Sequence, residues 1–459
     1  MVINLMAIIL MAIKLIQGAT SIMEAFYDRK EEFKVLGDIE RQSARNACFT
    51  VVTGRRRIGK TELLKKFMNG KKACYLFTSR SPEKNLCELW QKKLADDIGL
   101  KVFGQIQSVP ELLEAVFQFS REEHFTLVID EFQDLELVNK SVFSRIQDLW
   151  DSYKSSSRIN LIACGSIYSM MTRIFKDNKE PLFGRATHFI HLKPFKTSVV
   201  KQILSDFSPK YTKEDLLCLY MFSGGVAKYI FLMMYAKAFT KKKMIDYAIS
   251  MPSPFLTDGK DVLVSEIGKD YGTYFSILSL IAGGLTSQSE IDSVIGKNTG
   301  SYLQNLEKVF SVIKPVRPLL SKQGSRNARY QIVDAYQRFY FRFIYPHQDM
   351  IEFGQYDLLR DVVIRDYETF TGKTLEHYFA EKLTEEKTFT QIGGWWDKKS
   401  QNELDIITLD DIKKQCCVYE VKRQAKKLRP ADLEQKAATF AQNIPGYKLT
   451  LTGLSMDDM

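Results

Sequence analysis

The sequence predicts an α/β fold in which helices cover a parallel sheet, with helical and mixed domains towards the C-terminus. Apolar, strand-like runs alternate with amphipathic stretches between residues 26 and 191. A glycine-rich loop follows the first of these runs and opens a helix. After Thr197 the apolar pattern becomes helical, and after Asp366 it predicts a helix, a hairpin and a second helix.

The five predicted strands lie in the first half of the chain and are Phe49–Thr53, Ala73–Thr78, Phe125–Ile129, Asn160–Cys164 and Thr187–Leu192. Helical patterns connect them and include Glu62–Met68, Asn85–Ile98 and Val142–Tyr153. Parallel strands need crossover connections of this kind, so the alternation favours a parallel sheet.

The domain boundaries follow from these changes of pattern. We expect an apolar extension over residues 1–22, the sheet domain over 23–195, a helical lid over 196–265, a winged-helix region over 266–346 and a C-terminal α/β domain over 347–459. The lid pattern is helical from Thr197 to Ala248 and is broken at Gly224-Gly225.

The winged-helix prediction depends on three short helices followed by two short strands. The helices are Ser276–Ala282, Ser287–Ile295 and Thr299–Val309, and the strands lie within Arg317–Tyr330. Thr299–Val309 would be the recognition helix, and the basic residues of this region are Lys297, Lys308, Arg317, Lys322, Arg326 and Arg329. Contact with DNA and a role as a protein interaction module both stay open.

Net charge and cysteine content indicate which partners and metal sites the protein can have. The net charge of +10 and the pI of about 9.0 fit a nucleic-acid partner, although lysine-rich surfaces of a soluble protein explain them equally well. Seven cysteines form no CxxC pair and the five histidines form no cluster, which argues against a zinc site and for the reducing cytoplasm.

The N-terminus is strongly apolar from Met1 to Ile16, but no basic segment precedes this run and it is short for a membrane span. We therefore interpret residues 1–22 as an over-extended reading frame that truly starts at Met23, and we expect no stable membrane association. The alternative is a membrane-tethered protein.

A phosphate-binding loop carries the strongest functional signal. It matches G-x-x-x-x-G-K-[ST] with the residues Gly54, Arg55, Arg56, Arg57, Ile58, Gly59, Lys60 and Thr61. The glycines let successive N–H groups converge on phosphates, Lys60 can reach the terminal phosphate oxygens, and Thr61 can bind Mg²⁺. The motif predicts a nucleotide site with ATP and Mg²⁺ as its ligands.

Acidic and polar residues end the later strands of the sheet. Asp130 would complete the Mg²⁺ site, and Glu131 would orient or deprotonate the attacking water, which favours a hydrolase over a passive nucleotide binder. Ser166 could sense the terminal phosphate. Arg185 could neutralise transition-state charge in cis or from a neighbouring subunit, which keeps a homo-oligomer open.

These motifs resemble, in this order, the archaeal-type P-loop ATPases of the AAA+/STAND group. Besides the loop, the similar segments are Phe26–Glu32, Val128–Gln133, Gly165-Ser166, Phe183–Arg185 and Ser223–Tyr229. The family usually has proline where this chain has Ala227, which puts the geometry of the lid in doubt. The resemblance implies an ATPase that acts as a molecular switch.

The C-terminal domain carries a second group of charged residues. If a hairpin is centred on residues 410–414, Asp405 lies opposite Glu420, and Lys422 shares a face with Glu420. Glu376, on a preceding helix, could add a third carboxylate. Carboxylates that hold Mg²⁺ beside a lysine suit phosphodiester cleavage, and the arrangement resembles PD-(D/E)xK nucleases. The basic run that begins at Lys422 could contact phosphates, although a solvated charged hairpin explains the same pattern.

Two functional hypotheses follow. In the first, ATP binding and hydrolysis by Asp130, Glu131 and the loop control a DNA-directed effector with a Mg²⁺-dependent nuclease, in which Glu420 and Lys422 are catalytic and Glu376, Asp405 and Glu420 hold the metal. In the second, the chain is a STAND-type regulatory ATPase whose C-terminal domain is a non-catalytic interaction module.

Overall fold

The computed structural model describes residues 26–102, 104–166, 168–268, 271–322, 328–386, 388–397 and 401–459. The chain separates into two compact units. The N-terminal unit is Arg29–Lys193, and the C-terminal unit contains Pro194–Met459 together with residues 26–28. The predicted extension over residues 1–22 lies outside the described residues, and the finer domain boundaries stay predictions.

The N-terminal unit is built on a five-stranded parallel sheet with the strand order β2-β3-β4-β1-β5. The strands are β1 (Cys48–Thr53), β2 (Ala73–Phe77), β3 (Phe125–Asp130), β4 (Ile159–Gly165) and β5 (His188–His191). The helices are α1 (Lys30–Ser43), α2 (Lys60–Met68), α3 (Glu83–Ile98), α4 (Val109–Phe119), α5 (Leu135–Val138), α6 (Val142–Tyr153) and α7 (Tyr168–Lys176). The predicted α/β fold with a parallel sheet is therefore confirmed.

Central strands of this sheet are buried along their whole length. Every residue of β1, β3 and β4 is buried, because helices cover both faces of a parallel sheet. Aromatic side chains fill the core: the ring of Phe49 lies 5.2 Å from that of Trp150 and 5.3 Å from that of Phe175. The buried core fixes the carboxyl ends of β1 and β3, which is where the candidate site lies.

The C-terminal unit begins with four helices, α8 (Thr197–Phe207), α9 (Lys213–Ser223), α10 (Ala227–Tyr235) and α11 (Lys241–Ala248). The predicted break at Gly224-Gly225 separates α9 from α10, and Gly225 has a φ of +82°. A Cβ on Gly225 would lie 2.3 Å from the carbonyl oxygen of Phe195, so only glycine fits this turn.

A second helical group follows, with α12 (Asp258–Ile267), α13 (Tyr271–Ala282), α14 (Gln288–Ile295) and α15 (Gly300–Gln304), then a two-stranded hairpin of β6 (Ile313–Val316) and β7 (Arg329–Ile332). The strands predicted within Arg317–Tyr330 are displaced outwards: β6 ends at Val316 and β7 begins at Arg329, and Ile313 and Ile332 at their far ends are buried in the core. The predicted third helix, Thr299–Val309, is helical as expected: it is an α-helix from Gly300 to Gln304 and continues as a π-helix over Asn305–Val309. Arg326 lies outside the described residues.

The remainder consists of α16 (Ala335–Phe339), α17 (Gln348–Glu352), the long α18 (Tyr356–Glu386), α19 (Pro430–Ala441) and a four-stranded sheet. Its strands are β8 (Gln391–Trp396), β9 (Glu403–Asp410), β10 (Gln415–Val421) and β11 (Lys448–Leu454), in the order β11-β10-β9-β8. β10 and β11 are parallel, and the other pairs are antiparallel. The sequence predicted only the β9–β10 hairpin, since Gly393-Gly394 weakens the strand pattern of β8 and β11 is half-exposed.

In the described ranges, no helix has both the length and the apolar character that crossing a membrane requires.

Candidate functional site

The phosphate-binding loop connects β1 to α2 at the carboxyl end of the sheet. Its backbone has positive φ at Gly54 (152°), Arg57 (72°) and Gly59 (98°), and α2 begins at Lys60. A Cβ on Gly54 would lie 2.8 Å from the carbonyl oxygen of Leu192, so glycine is required where the loop leaves β1. The loop therefore presents backbone N–H groups and the positive end of the α2 dipole to one point.

Lys60 is buried and is held against this loop. Its Nζ donates to the carbonyl oxygens of Gly54 at 2.7 Å and of Arg55 at 3.0 Å. Burial lowers the pKa of Lys60, and the neighbouring carboxylates Glu131 and Asp130 oppose that shift. The lysine is thus a pre-positioned cation whose present acceptors are loop carbonyl groups.

Thr61 and Asp130 meet at the ends of α2 and β3. The hydroxyl of Thr61 donates to Oδ2 of Asp130 at 3.4 Å. The hydroxyl of Tyr75, on β2, also donates to Asp130 and lies 3.5 Å from the Thr61 hydroxyl. Burial raises the pKa of Tyr75, and the hydrogen bond to Asp130 raises it further, so the phenol is a donor. A hydroxyl and a carboxylate oxygen side by side are the ligands that Mg²⁺ prefers, and these residues fit such an ion.

Both carboxylate oxygens of Glu131 have donors. Ser166 Oγ donates to Oε2 at 2.8 Å and to Oε1 at 3.2 Å, and Gln133 Nε2 donates to Oε2 at 2.6 Å. The backbone of Glu131 has a φ of +50°, and its N–H donates to Asp130 Oδ1 at 2.9 Å. The two acids at the end of β3 are thus each held by hydrogen bonds, Asp130 by Tyr75 and Thr61 and Glu131 by Ser166 and Gln133.

The arginines of the loop and Arg185 have different surroundings. Arg56 Nε donates to Ser166 Oγ at 3.4 Å, which links the loop to the end of β4. Arg29, from the similar segment Phe26–Glu32, donates from Nη2 to the carbonyl oxygen of Ile58 at 3.3 Å. In the part of the chain that the structure describes, Arg185 pairs with Asp151 at 3.1 Å and is not brought against the loop.

Comparison with known proteins assigns the chain to a family. A family model described as an ATPase domain predominantly from Archaea matches residues 26–233, and a model described as archaeal and bacterial proteins of unknown function matches residues 340–435. A protein of Methanocaldococcus jannaschii is 32% identical over 413 residues, which cover 86% of this chain and 87% of the relative. The chain belongs to this archaeal ATPase family.

The archaeal ATPase has further similarities. A second, shorter protein of Methanocaldococcus jannaschii is 28% identical over 92 residues, which cover 20% of this chain and 88% of that protein. The structure of a Walker-type ATPase of Pyrococcus abyssi matches with a TM-score of 0.53 at 19% identity, over 69% of this chain and 96% of that chain. At this identity the match shows a shared fold.

A second group of charged residues lies on β9 and β10 of the C-terminal unit. Tyr419 pairs with Ile406, so the next step of this register sets Glu420 opposite Asp405, as predicted from the hairpin centre. Lys422 Nζ lies 3.3 Å from Glu420 Oε1 and 4.0 Å from Asp405 Oδ2. The N–H of Val421 donates to Asp405 Oδ2 at 2.9 Å. The ammonium group of Lys422 therefore lies close to the carboxylates of both Glu420 and Asp405.

Glu376 faces this group from α18. Burial is the main cause that raises the pKa of Glu376 to about 7; the negative charges of Asp405 and Glu403 contribute to this rise, and Lys373 at 2.9 Å opposes it. Lys373 also lies 3.6 Å from Glu403. Within the described ranges, no three or more Asp, Glu, His and Cys side chains are arranged to hold a metal ion. Glu376, Asp405 and Glu420 are therefore not arranged as a three-carboxylate metal site in the described residues. Their role in holding Mg²⁺ stays a prediction.

Two arginines are engaged in ways that the sequence did not suggest. Arg423, in the predicted phosphate-contacting run, instead pairs with Glu214 of α9 at 2.8 Å and donates to Thr371 Oγ1 at 2.5 Å. Arg329, predicted to lie on the wing, pairs with Glu403 at 3.1 Å, and its guanidinium lies 4.3 Å from the ring centre of Trp396. Both side chains therefore make ion pairs within the C-terminal unit.

The sequence also did not identify Tyr75 and Gln133 as site residues. Gln133 stands two residues after Glu131 in a segment that resembles the family, and this position was the sequence feature that could have indicated its place in the site. Tyr75 gave no signal, because its approach to Asp130 depends on the pairing of β2 with β3.

Proposed function

We propose that this archaeal ATPase is a molecular switch that hydrolyses ATP at Lys60, Thr61, Asp130 and Glu131. The observation that carries the proposal is the meeting of the Thr61 hydroxyl with the Asp130 carboxylate at 3.4 Å, beside the buried Lys60. Phosphoryl transfer depends on positioning and on charge stabilisation, and this group supplies both. The P-loop match and the ATPase family support it.

Each residue has a distinct role in this proposal. The N–H groups of the loop bind the phosphates, and Lys60 turns from the loop carbonyls to the terminal phosphate oxygens. Thr61 and Asp130 would hold Mg²⁺, which would supply positive charge beside the phosphates. Glu131 accepts the proton of the attacking water. Ser166 responds to the terminal phosphate in this proposal, and its contacts with both Glu131 and Arg56 support that role.

Two substitutions separate binding from chemistry. Lys60→Ala should weaken ATP binding in an equilibrium titration, because it removes the cation of the loop. Glu131→Gln should preserve ATP binding and lower kcat by about 100-fold or more, since it removes a general base. Lys66→Ala, at an exposed position of the same helix, is the matched control. Unchanged ATP binding in Lys60→Ala would refute the nucleotide site.

Arg185 is proposed to act on the site of a neighbouring subunit. Its partner Asp151 is itself part-exposed, and in the described residues Arg185 does not reach its own loop. Mixing the Arg185→Ala variant with the Lys60→Ala variant should restore activity, because each copy supplies what the other lacks. Absence of restored activity in mixed oligomers would count against action in trans.

We also propose that the segment from α13 to β7 is a winged helix that contacts DNA. Three helices precede the hairpin, and four basic side chains of this segment, Lys297, Lys308, Arg317 and Lys322, are exposed. Phosphate contacts make DNA affinity fall with salt, and each lost contact reduces that slope by about one. Replacing Lys297 and Lys308 together should lower the salt slope of DNA binding by about two. An unchanged slope would leave the protein-interaction role.

A second candidate activity is DNA cleavage by the C-terminal domain. The position of Lys422 beside both Asp405 and Glu420 supports it. DNA cleavage in the presence of Mg²⁺ or Mn²⁺ should be lost in Glu420→Ala and kept in Glu434→Ala, an exposed glutamate of α19. If wild type cleaves no form of DNA, the domain is a non-catalytic interaction module.

A further inference from the structure

Gln133 is a buried polar side chain at the candidate hydrolysis site. It lies in the short 3₁₀ turn Phe132–Asp134 directly after β3 and is 1% exposed. Phe132, its neighbour, packs in the core against Phe49 and Phe143, with ring centres 6.2 Å and 5.5 Å away. The core therefore fixes the backbone from which Gln133 extends.

The amide of Gln133 has only one sensible orientation. Its Nε2 donates to Glu131 Oε2 at 2.6 Å, and the reverse orientation would set Oε1 against a carboxylate. In the observed orientation Oε1 is buried and has no hydrogen-bond partner among the described residues. A buried acceptor without a partner costs free energy, so the glutamine is a poor choice for stability alone.

Gly165 leaves the space that Gln133 occupies. A Cβ on Gly165 would lie 2.6 Å from Gln133 Oε1. The next residue, Ser166, is the second donor to Glu131. The end of β4 thus contributes to both hydrogen bonds of Glu131: Gly165 leaves space for the Gln133 amide, and Ser166 donates directly.

We propose that Gln133 is a positioning residue for ATP hydrolysis, which acts with Ser166 by holding the Glu131 carboxylate in one orientation. The inference rests on the proposed role of Glu131. The backbone of Glu131 is fixed at a φ of +50°, but its side chain has rotatable bonds, which the hydrogen bonds from Gln133 and Ser166 restrain. A general base must be correctly oriented towards the water, and small misplacements at an active site cost large factors in rate.

The test is steady-state kinetics of Gln133→Met, which keeps the length of the side chain and removes its donor. We expect kcat to fall by about 10-fold or more, while the KM for ATP and the equilibrium affinity for a non-hydrolysable ATP analogue change by less than about twofold. Gln133→Glu should lower kcat further, because a second carboxylate would repel Glu131. Gln118→Met, at an exposed position of α4 whose amide contacts Tyr153, is the control with wild-type kinetics.

The decisive comparison is made in the Glu131→Gln background. A residue that acts through Glu131 has nothing to position there, so adding Gln133→Met should leave the residual kcat unchanged. The proposal is overturned if Gln133→Met keeps kcat within about twofold of wild type, or lowers it by the same factor in both backgrounds. If Glu131→Gln alone leaves kcat unchanged, the assigned role of Glu131 fails, which is a separate result. Thermal unfolding and analogue binding of each variant show whether the fold is intact.

Discussion

Substitution of Gly54 by alanine tests whether the loop geometry, rather than the charged side chains, creates the ATP site. Gly54 stands where β1 ends and the loop begins, with a φ of +152°. An alanine methyl there would lie 2.8 Å from the carbonyl oxygen of Leu192 and 3.0 Å from its Cβ. The first of these atoms belongs to the backbone and cannot rotate away.

The cost of this substitution has two sources, the backbone conformation and the close contact. A residue other than glycine in a disfavoured backbone region costs about 1–3 kcal/mol. The close contact adds to that cost unless the loop moves, and a moved loop no longer presents its N–H groups to one point. Since about 1.4 kcal/mol corresponds to a tenfold change in affinity, we expect ATP binding to weaken by about 10- to 100-fold.

The assay is equilibrium binding of a fluorescent ATP analogue, with thermal unfolding measured in parallel. Gly37→Ala is the matched control, because it lies within α1 and its Cβ would have only Arg41 Nη1 nearby, at 3.9 Å. Alanine in a helix should stabilise the fold by about 0.5–1 kcal/mol and leave ATP binding unchanged. Binding by Gly54→Ala within about twofold of wild type would refute the argument from loop geometry.

Two further predictions concern the C-terminal unit. The side chains of Arg423 and Glu214 are only 13% and 29% exposed, so their ion pair should be stronger than an exposed one. A double-mutant cycle of Arg423→Met and Glu214→Gln should give a coupling free energy of about 1–2 kcal/mol. A coupling near zero would show that the pair does not hold α9 to the end of β10. The pKa of Glu376 is raised to about 7 in the folded protein, so the folded state retains a proton that the unfolded state releases, and stability should fall as pH rises from about 4.5 to 7. Thermal unfolding between pH 5 and pH 8 should show this decline in wild type and a weaker one in Glu376→Gln; equal slopes would contradict the assignment.

The parallel sheet could be predicted because its signals are local. The strand Phe125–Asp130 is a continuous apolar run, and Val142–Tyr153 was predicted with the bounds that the structure shows. Burial on both faces makes such strands uniformly apolar, so no tertiary information is needed to recognise them. The phosphate-binding loop is equally local, since its glycines and Lys60 are adjacent in the sequence.

Residues that depend on strand pairing could not be predicted in the same way. Tyr75 reaches Asp130 because β2 and β3 are neighbours, and nothing in the sequence near Tyr75 states which strand it joins. β8 was missed because its Gly393-Gly394 pair, which tolerates a register shift against β9, lowers strand propensity. The Asp405–Glu420 register was predictable, since a hairpin with a polar turn fixes its own pairing.

The engagement of Arg423 changes how the C-terminal charges should be interpreted. A basic run beside two carboxylates suggests a surface for phosphates, but Arg423 of this run donates to both carboxylate oxygens of Glu214. Because Arg423 directly follows Lys422, a movement of α9 would act on the residue next to the ammonium group that serves Asp405 and Glu420. The Arg423–Glu214 ion pair therefore links α9 to the residue that follows Lys422 within the C-terminal unit. That connection is what a switch needs if the lid is to control the C-terminal domain, and it serves equally whether that domain cleaves DNA or binds a partner.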